Sequence, residues 1–132
     1  VSRISLLNYL SYLQKAQALL LLDKEASGIK QLTKPEKIYL GNTNYAYALG
    51  GEKTDIGNVR ETFFFNQTAV KHKVTYSSQI DFTLNETYNF EIGGKNKIQK
   101  QLAGVENGYL ALDNIEIGFN NEIPFWLFGL MY

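Results

Sequence analysis

Residues 80–97 constrain the fold more than any other stretch, because they have the pattern of two short strands joined by a polar turn. Apolar and polar side chains alternate over residues 80–84 and again over residues 88–92. This period-two alternation is typical of strands with one buried and one polar face. The stretch therefore predicts a β-hairpin whose buried face carries Ile80, Phe82, Leu84, Tyr88, Phe90 and Ile92.

The turn of this hairpin predicts which residues of the two strands face each other. A three-residue turn over residues 85–87 keeps the apolar side chains on one face and places Asp81 opposite Glu91, whereas a two-residue turn would mix the faces. Directly opposed side chains lie about 5 Å apart at Cβ, so two carboxylates there repel unless a cation, a shared proton or a lysine compensates. Three lysines follow the second strand, at Lys95, Lys97 and Lys100.

Two interpretations of this acidic pair remain open from the residues alone. Two carboxylates and an ammonium on neighbouring strands can hold Mg²⁺ and place a water molecule against a phosphodiester. The other interpretation is a solvated hairpin face with loose carboxylate–lysine pairs, which are common and contribute little to stability. Composition by itself favours the second interpretation.

The composition bounds what a chain of 132 residues can be. With 45% hydrophobic and 14% aromatic residues it can build a core, and its length suits one domain or one domain with a small appendage. Its 13 basic and 13 acidic residues cancel, so affinity for nucleic acid must come from a local patch. The absence of cysteine excludes disulfides and thiolate metal sites, and the single His72 excludes a multi-histidine zinc site.

The location of the protein is predicted from the same sequence. No apolar run approaches the ~20 residues that cross a bilayer, so we expect no membrane partner. The lack of cysteine is compatible with a reducing compartment, and a cytoplasmic protein is expected. Because the chain begins at Val1 without methionine, we expect a fragment of a longer protein.

Residues 1–33 are predicted to form an N-terminal unit separate from residues 34–132. Regularly spaced leucines indicate a helix over residues 2–17, and residues 18–22 form either its end or a short strand. A turn and a second short strand over residues 29–33 would complete the outline of a winged-helix unit. A helical hairpin packed on the main domain is the alternative, and the sequence does not separate the two.

The larger unit has the element order of a mixed α/β layer. A strand over residues 37–40 and a short helix up to residue 49 come first, and a longer helix over residues 57–71 follows them. A three-stranded meander comes next, then a helix over residues 96–104 and a strand over residues 108–113. The pattern alternates again over residues 115–119, and the strongly apolar segment after residue 123 must be core or interface.

This order, with Glu61 on a helix, Asp81 on the second strand and Glu91 on the third, resembles the restriction-endonuclease-like PD-(D/E)XK nuclease core. More closely, the chain is similar to the C-terminal region of prokaryotic AAA-type ATPases, in which a nuclease-like domain follows a P-loop ATPase module and a winged helix. The stretches that carry the resemblance are residues 34–44, 48–49, 57–63, 81–82, 90–97 and 123–129. No phosphate-cradling loop motif occurs here, so ATP binding would belong to a module outside this sequence.

The resemblance implies a role for each matching residue. Asp81 and Glu91 would bind Mg²⁺ or Mn²⁺, and Glu61 would be an accessory acid that contacts the metal through water or orients the site. The family pattern places a lysine two residues after the strand glutamate, where this chain has Gly93. The nearest lysine, Lys95, would then have to reach back as the catalytic cation.

Two further interpretations accompany the nuclease prediction. A catalytically degenerate domain would bind DNA or a protein partner without cutting, and a basic rim would serve it, formed by Lys71, Lys73, Lys95, Lys97 and Lys100. Alternatively, the apolar C-terminus and the N-terminal helix would dock on the missing ATPase module or on a second copy in a homo-oligomer.

Overall fold

The computed structural model describes residues 1–24 and 33–131, which form three α-helices and seven strands. The helices are α1 (Arg3–Lys15), α2 (Thr43–Gly50) and α3 (Ile56–Thr68). The strands are β1 (Leu19–Leu22), β2 (Lys37–Leu40), β3 (Val74–Thr75), β4 (Phe82–Leu84), β5 (Tyr88–Gly94), β6 (Gly108–Asp113) and β7 (Glu122–Pro124).

The strands belong to two sheets. β1 and β2 form a two-stranded antiparallel sheet, and the other strands form a five-stranded sheet in the order β3-β4-β5-β6-β7. β3, β4 and β5 are an antiparallel meander, whereas β5, β6 and β7 run parallel to one another. The α/β class and the mixed sheet that the sequence predicts are thereby confirmed.

The N-terminal segment keeps its predicted helix and resolves the choice over residues 18–22. The Ser2 side chain caps α1 by accepting a hydrogen bond from the Ser5 amide at 3.1 Å. The apolar run after the helix is the strand β1, and its partner is β2. Most of the second strand predicted at residues 29–33 lies outside the described residues, so the winged-helix interpretation and the boundary after residue 33 stay predictions.

Polar side chains fix the starts of the two helices that precede the meander. Asn42 caps α2 by accepting from the Asn44 amide at 2.9 Å, and Asp55 caps α3 by accepting from the Asn58 amide at 2.7 Å. α3 then buries Phe64 completely, with its ring centroid 5.2 Å from that of Phe82 on β4. The helix thus packs directly on the hairpin.

The hairpin has the register that its alternation predicts. Phe82 pairs with Phe90 and Leu84 with Tyr88, and residues 85–87 form the three-residue turn. Asn85 and Glu86 take left-handed backbone conformations there, with φ of 51° and 60°. β4 begins only at Phe82, because residues 78–81 form a bend.

This bend changes the surroundings of Ile80, which was predicted to share a buried face with Phe82. Ile80 packs instead into a second cluster with Leu102, Leu110 and Leu112, on the opposite side of the sheet. The prediction for this residue is wrong because the regular alternation of a strand does not extend through the bend.

The segment between β5 and β6 differs from the predicted helix over residues 96–104. Only one turn of 3₁₀ helix forms there, over Gln99–Leu102, and Leu102 is its one buried residue. The strand predicted over residues 108–113 is present as β6 and pairs on both edges. Residues 115–119 form no strand and bend at residues 116–117, and the last strand is β7.

The main hydrophobic core lies between the sheet and the helical elements α3 and the C-terminal 3₁₀ helix Phe125–Leu130. Its buried members are Leu22, Tyr39, Phe64, Phe65, Phe82, Leu84, Phe90, Ile92, Ala111, Phe125 and Phe128. The apolar C-terminal segment is therefore partly core, while Trp126 and Leu130 are exposed. Among the described residues, no helix has the length and apolar character needed to cross a membrane.

Candidate functional site

Asp81, Glu91 and Lys97 come together at the base of the hairpin. The Lys97 ammonium nitrogen lies 2.6 Å from Glu91 Oε2 and 3.4 Å from Asp81 Oδ2. It also donates a hydrogen bond to the Ile92 carbonyl oxygen at 2.8 Å. The Ile92 amide in turn donates to Asp81 Oδ2 at 2.8 Å, which fixes the Asp81 carboxylate against β5 although Asp81 precedes β4.

The buried position of Glu91 controls its electrostatics. In the register of β5 with β6, Glu91 lies beside Leu110, and its side chain is only 4% exposed. Burial raises the pKa of Glu91, and the neighbouring Asp81 charge raises it further, while Lys97 opposes both effects. A buried carboxylate is costly unless it is paired, and Lys97 supplies the pairing charge.

Gly93 explains how Lys97 reaches the carboxylates. A Cβ atom built at Gly93 would lie 2.3 Å from Lys97 Cδ and 2.8 Å from Lys97 Cβ, so the lysine side chain crosses the strand where a side chain is missing. A turn brings Lys97 back to this point, because its amide donates to the Gly94 carbonyl at 2.9 Å.

The structure thus brings Lys97 to the pair in place of Lys95, which the resemblance suggested as the catalytic lysine. Lys95 is exposed and, among the described residues, makes no ion pair with Asp81 or Glu91. The physical reason is the turn over residues 94–97, which directs the side chain of its last residue back across Gly93. Sequence reasoning had placed Lys97 in the rim of nucleic-acid-binding lysines.

Glu61 belongs to a neighbouring cluster that sequence reasoning did not assemble. Its Oε2 accepts a hydrogen bond from the Tyr39 hydroxyl at 2.5 Å, and the Lys37 ammonium lies 3.4 Å from the same atom. Burial, then Glu61 and then Asp81 raise the pKa of Tyr39 well above its ordinary value. The Tyr39 hydroxyl therefore contacts Glu61 directly, and the Asp81 charge has the smallest effect on its pKa.

The alternation of β2 carried a signal for this cluster. Lys37 and Tyr39 are two residues apart, so a strand over residues 37–40 places both side chains on one face. That they meet Glu61 on α3 is a long-range contact that the spacing does not reveal. The predicted role of Glu61 as a metal ligand stays a prediction, since no cluster of three or more acidic or histidine ligands occurs within residues 1–24 and 33–131.

Arg60 and Asp113 form an ion pair beside the site. Arg60 Nε donates to Asp113 Oδ2 at 3.0 Å, and the Arg60 side chain is 17% exposed. Asp113 is the last residue of β6 and lies in register with Gly94, the last residue of β5. The pair therefore fastens the start of α3 to the ends of the two parallel strands.

The lysines predicted as one basic rim lie in different places. Lys73 pairs with Glu86 in the turn at the tip of the hairpin, whereas Glu91 lies within β5, toward the other end of the hairpin. Lys71 and Lys100 are exposed, Lys71 after α3 and Lys100 in the 3₁₀ turn before β6. Of the rim lysines, Lys97 is the one that contacts the acidic pair within the described part of the chain.

The oxygen atoms around Lys97 fit a hard divalent cation. One oxygen each from Asp81 and Glu91 and the Ile92 carbonyl oxygen face the same ammonium. Carboxylate and carbonyl oxygens are the donors that Mg²⁺ and Mn²⁺ prefer. The inference about function depends on this geometry, because comparison of the chain with family models, curated proteins and solved structures gives no match.

Proposed function

We propose that this chain is a PD-(D/E)XK nuclease-like domain that hydrolyses phosphodiester bonds with Mg²⁺ or Mn²⁺. Asp81 and Glu91 would be the metal ligands, and Lys97 the catalytic cation. The observation that carries the proposal is the approach of the Lys97 ammonium to both carboxylates, 2.6 Å from one and 3.4 Å from the other. DNA is the proposed substrate, and an AAA-type ATPase module outside this sequence is the proposed partner.

The order of the elements supports the fold part of this proposal. α3, the antiparallel meander β3-β4-β5, a crossover segment and the parallel strand β6 follow one another as the nuclease resemblance requires. The crossover has one 3₁₀ turn where the resemblance implies a helix. Glu91 lies on the third strand of the meander, as the resemblance implies, whereas Asp81 is the residue just before the second strand.

The residues divide the chemistry between them. A bound cation would supply an activated water, whose oxygen attacks phosphorus while the bond from phosphorus to the leaving sugar oxygen breaks. Lys97 carries three N–H donors and can stabilise the negative charge that develops on the phosphate oxygens. Tyr39 donates a hydrogen bond to Glu61, which fixes the orientation of this acid.

The main argument for a degenerate, non-catalytic module was Gly93 at the position where the family pattern has a lysine. The route of Lys97 across Gly93 weakens that argument, because an ammonium reaches the carboxylates from a residue four positions later. A degenerate module that binds DNA or a protein is the second candidate, and it predicts no cleavage whether or not the metal binds.

Calorimetric titration of Mn²⁺ at mildly alkaline pH tests the proposal without a guess about the substrate. We expect binding to the unmodified protein, loss of binding in Asp81→Asn, and retention in the matched control Asp113→Asn, whose carboxylate pairs with Arg60 outside the site. Cleavage of single- and double-stranded DNA with Mn²⁺ is then assayed for the same three proteins.

The outcomes separate the two candidates. Cleavage that requires Mn²⁺ and is lost in Asp81→Asn would support the nuclease. Metal binding with no cleavage of either DNA form would favour the binding module. An unmodified protein that binds no Mn²⁺ would contradict the metal-dependent mechanism.

A further inference from the structure

We propose that Lys97 competes with the metal for its binding site. The Lys97 ammonium occupies the metal position until a divalent cation displaces it. This inference rests on the proposed function, because it concerns the same oxygens that would hold the metal. It adds a regulatory step to that function, since the Lys97 ammonium is either bound to the carboxylates or displaced from them by the metal.

The geometry places the ammonium at the point where the three oxygens converge. Its nitrogen lies 2.6 Å from Glu91 Oε2, 2.8 Å from the Ile92 carbonyl oxygen and 3.4 Å from Asp81 Oδ2. Divalent cations bind such oxygens at about 2.0–2.6 Å, within the space that the ammonium fills. Since both carry positive charge, the ammonium and the cation exclude each other from this point.

The local backbone keeps the competitor in place. The turn closed by the Lys97 amide on the Gly94 carbonyl holds the side chain next to the site, so its effective concentration there is high. The missing side chain at Gly93 leaves the path of the lysine open. The aliphatic part of the Lys97 side chain is therefore held next to the site, and the ammonium is the part that can move away.

Displacement of the ammonium would also prepare the site for its substrate. The Lys97 side chain is 21% exposed, so the released ammonium has access to the solvent side of the carboxylates. There its N–H donors are free for a phosphate oxygen. Metal binding would thus fill the site and also release the Lys97 ammonium, which stabilises the charge that develops on the phosphate.

Mn²⁺ titration of four proteins, in the absence of nucleic acid, tests the competition. Lys97→Gln removes the ammonium and is expected to bind Mn²⁺ about tenfold more tightly than the unmodified protein. Gly93→Ala keeps the charge but places a methyl group in the path of the lysine, so we expect a smaller gain in the same direction. The control Lys95→Gln removes an exposed lysine two residues away, and its affinity should stay within about twofold of the unmodified protein.

Each result has a defined meaning. Equal or weaker binding by Lys97→Gln, with binding by the unmodified protein intact, overturns the competition and leaves the proposed nuclease standing. Absence of binding in both proteins overturns the competition and the metal-dependent function together. If Lys97→Gln is unfolded without metal, Gly93→Ala decides the matter, because it retains the ion pair partners: unchanged or weaker affinity there overturns the competition.

Discussion

Two lysine–glutamate pairs lie at opposite ends of the same hairpin, and they differ mainly in burial. At the tip, the Lys73 and Glu86 side chains are 50% and 46% exposed. At the base, the Lys97 and Glu91 side chains are 21% and 4% exposed. The sequence offers no such distinction, since Glu86, Glu91 and Lys97 are all charged positions of the hairpin and Lys73 is a charged position shortly before it.

The difference in burial changes what each pair does. An exposed pair gains little from its attraction, because water screens the charges and both long side chains lose freedom. At the base, the Glu91 carboxylate has left water, and the lysine is the charge that compensates it. Lys97 also satisfies Asp81 and the Ile92 carbonyl, so three acceptors depend on one ammonium.

Removal of the half-buried Lys97 ammonium should produce the largest effect. In Lys97→Gln without metal, Glu91 stays buried with no cation, and we expect the free energy of unfolding to fall by about 3–5 kcal/mol near neutral pH. Urea denaturation followed by circular dichroism measures this loss. A loss below about 1 kcal/mol would mean that the Lys97–Glu91 pair contributes no more than an ordinary surface pair, which would contradict the proposed difference from the Lys73–Glu86 pair.

A matched variant isolates the cause of that loss. Lys97→Gln combined with Glu91→Gln removes both charges and keeps similar side-chain volumes. We expect it to recover part of the stability, because no uncompensated carboxylate then remains in the position of Glu91. A double variant that is less stable than Lys97→Gln would show that the lysine contributes through packing instead.

The pH dependence of stability should show a smaller effect of the same burial. The pKa of Glu91 is raised from its ordinary value of 4.5 by burial and by the Asp81 charge. The folded state therefore holds the Glu91 proton more tightly than the unfolded state does. The stability that this difference contributes is fully present below pH 4.5 and is lost as the pH rises through the raised pKa.

The expected slope can be measured by difference. Between about pH 4.5 and neutral pH, the metal-free protein should lose stability relative to Glu91→Gln, by about 1.4 kcal/mol for each unit of pKa displacement. The comparison is necessary because burial and the Glu36 charge also raise the pKa of Asp23. Parallel pH profiles for the two proteins would mean that Glu91 titrates normally.

The hairpin could be predicted from sequence because two independent signals agree there. Alternation assigns the faces, and the turn then allows one register that keeps the apolar side chains together. The observed pairing of Phe82 with Phe90 follows from these rules alone. The sequence therefore predicts that Asp81 and Glu91 are neighbours.

The lysine that completes the site was not predictable in the same way. Which lysine reaches the acidic pair depends on the turn that folds Lys97 back onto Gly94 and on the missing side chain at Gly93. The helix expected over residues 96–104 fails for a related reason. Ile98 is extended, with φ −102° and ψ 155°, so the helical turn starts only at Gln99. The spacing of charged residues along the sequence does not reveal this backbone conformation.

The Glu61 cluster shows the same limit over a longer distance. The pairing of β2 with β1 and the packing of α3 bring Tyr39 within hydrogen-bonding distance of Glu61, 22 residues later in the chain. Local pattern placed Tyr39 on a strand and Glu61 on a helix. Only the packing of the two elements decides that the hydroxyl and the carboxylate meet.

The exposed pair at the tip should give the smallest effect and completes the comparison. Glu86→Gln removes one charge from the pair with Lys73 but leaves a side chain of similar size, and we expect a loss of less than about 1 kcal/mol in the free energy of unfolding. Raising the salt concentration should reduce this loss further, because both side chains are about half exposed. A loss as large as that of Lys97→Gln would mean that burial is not what separates the two pairs. The function proposed for the base of the hairpin would then have to rest on the Asp81 and Ile92 contacts of Lys97 alone.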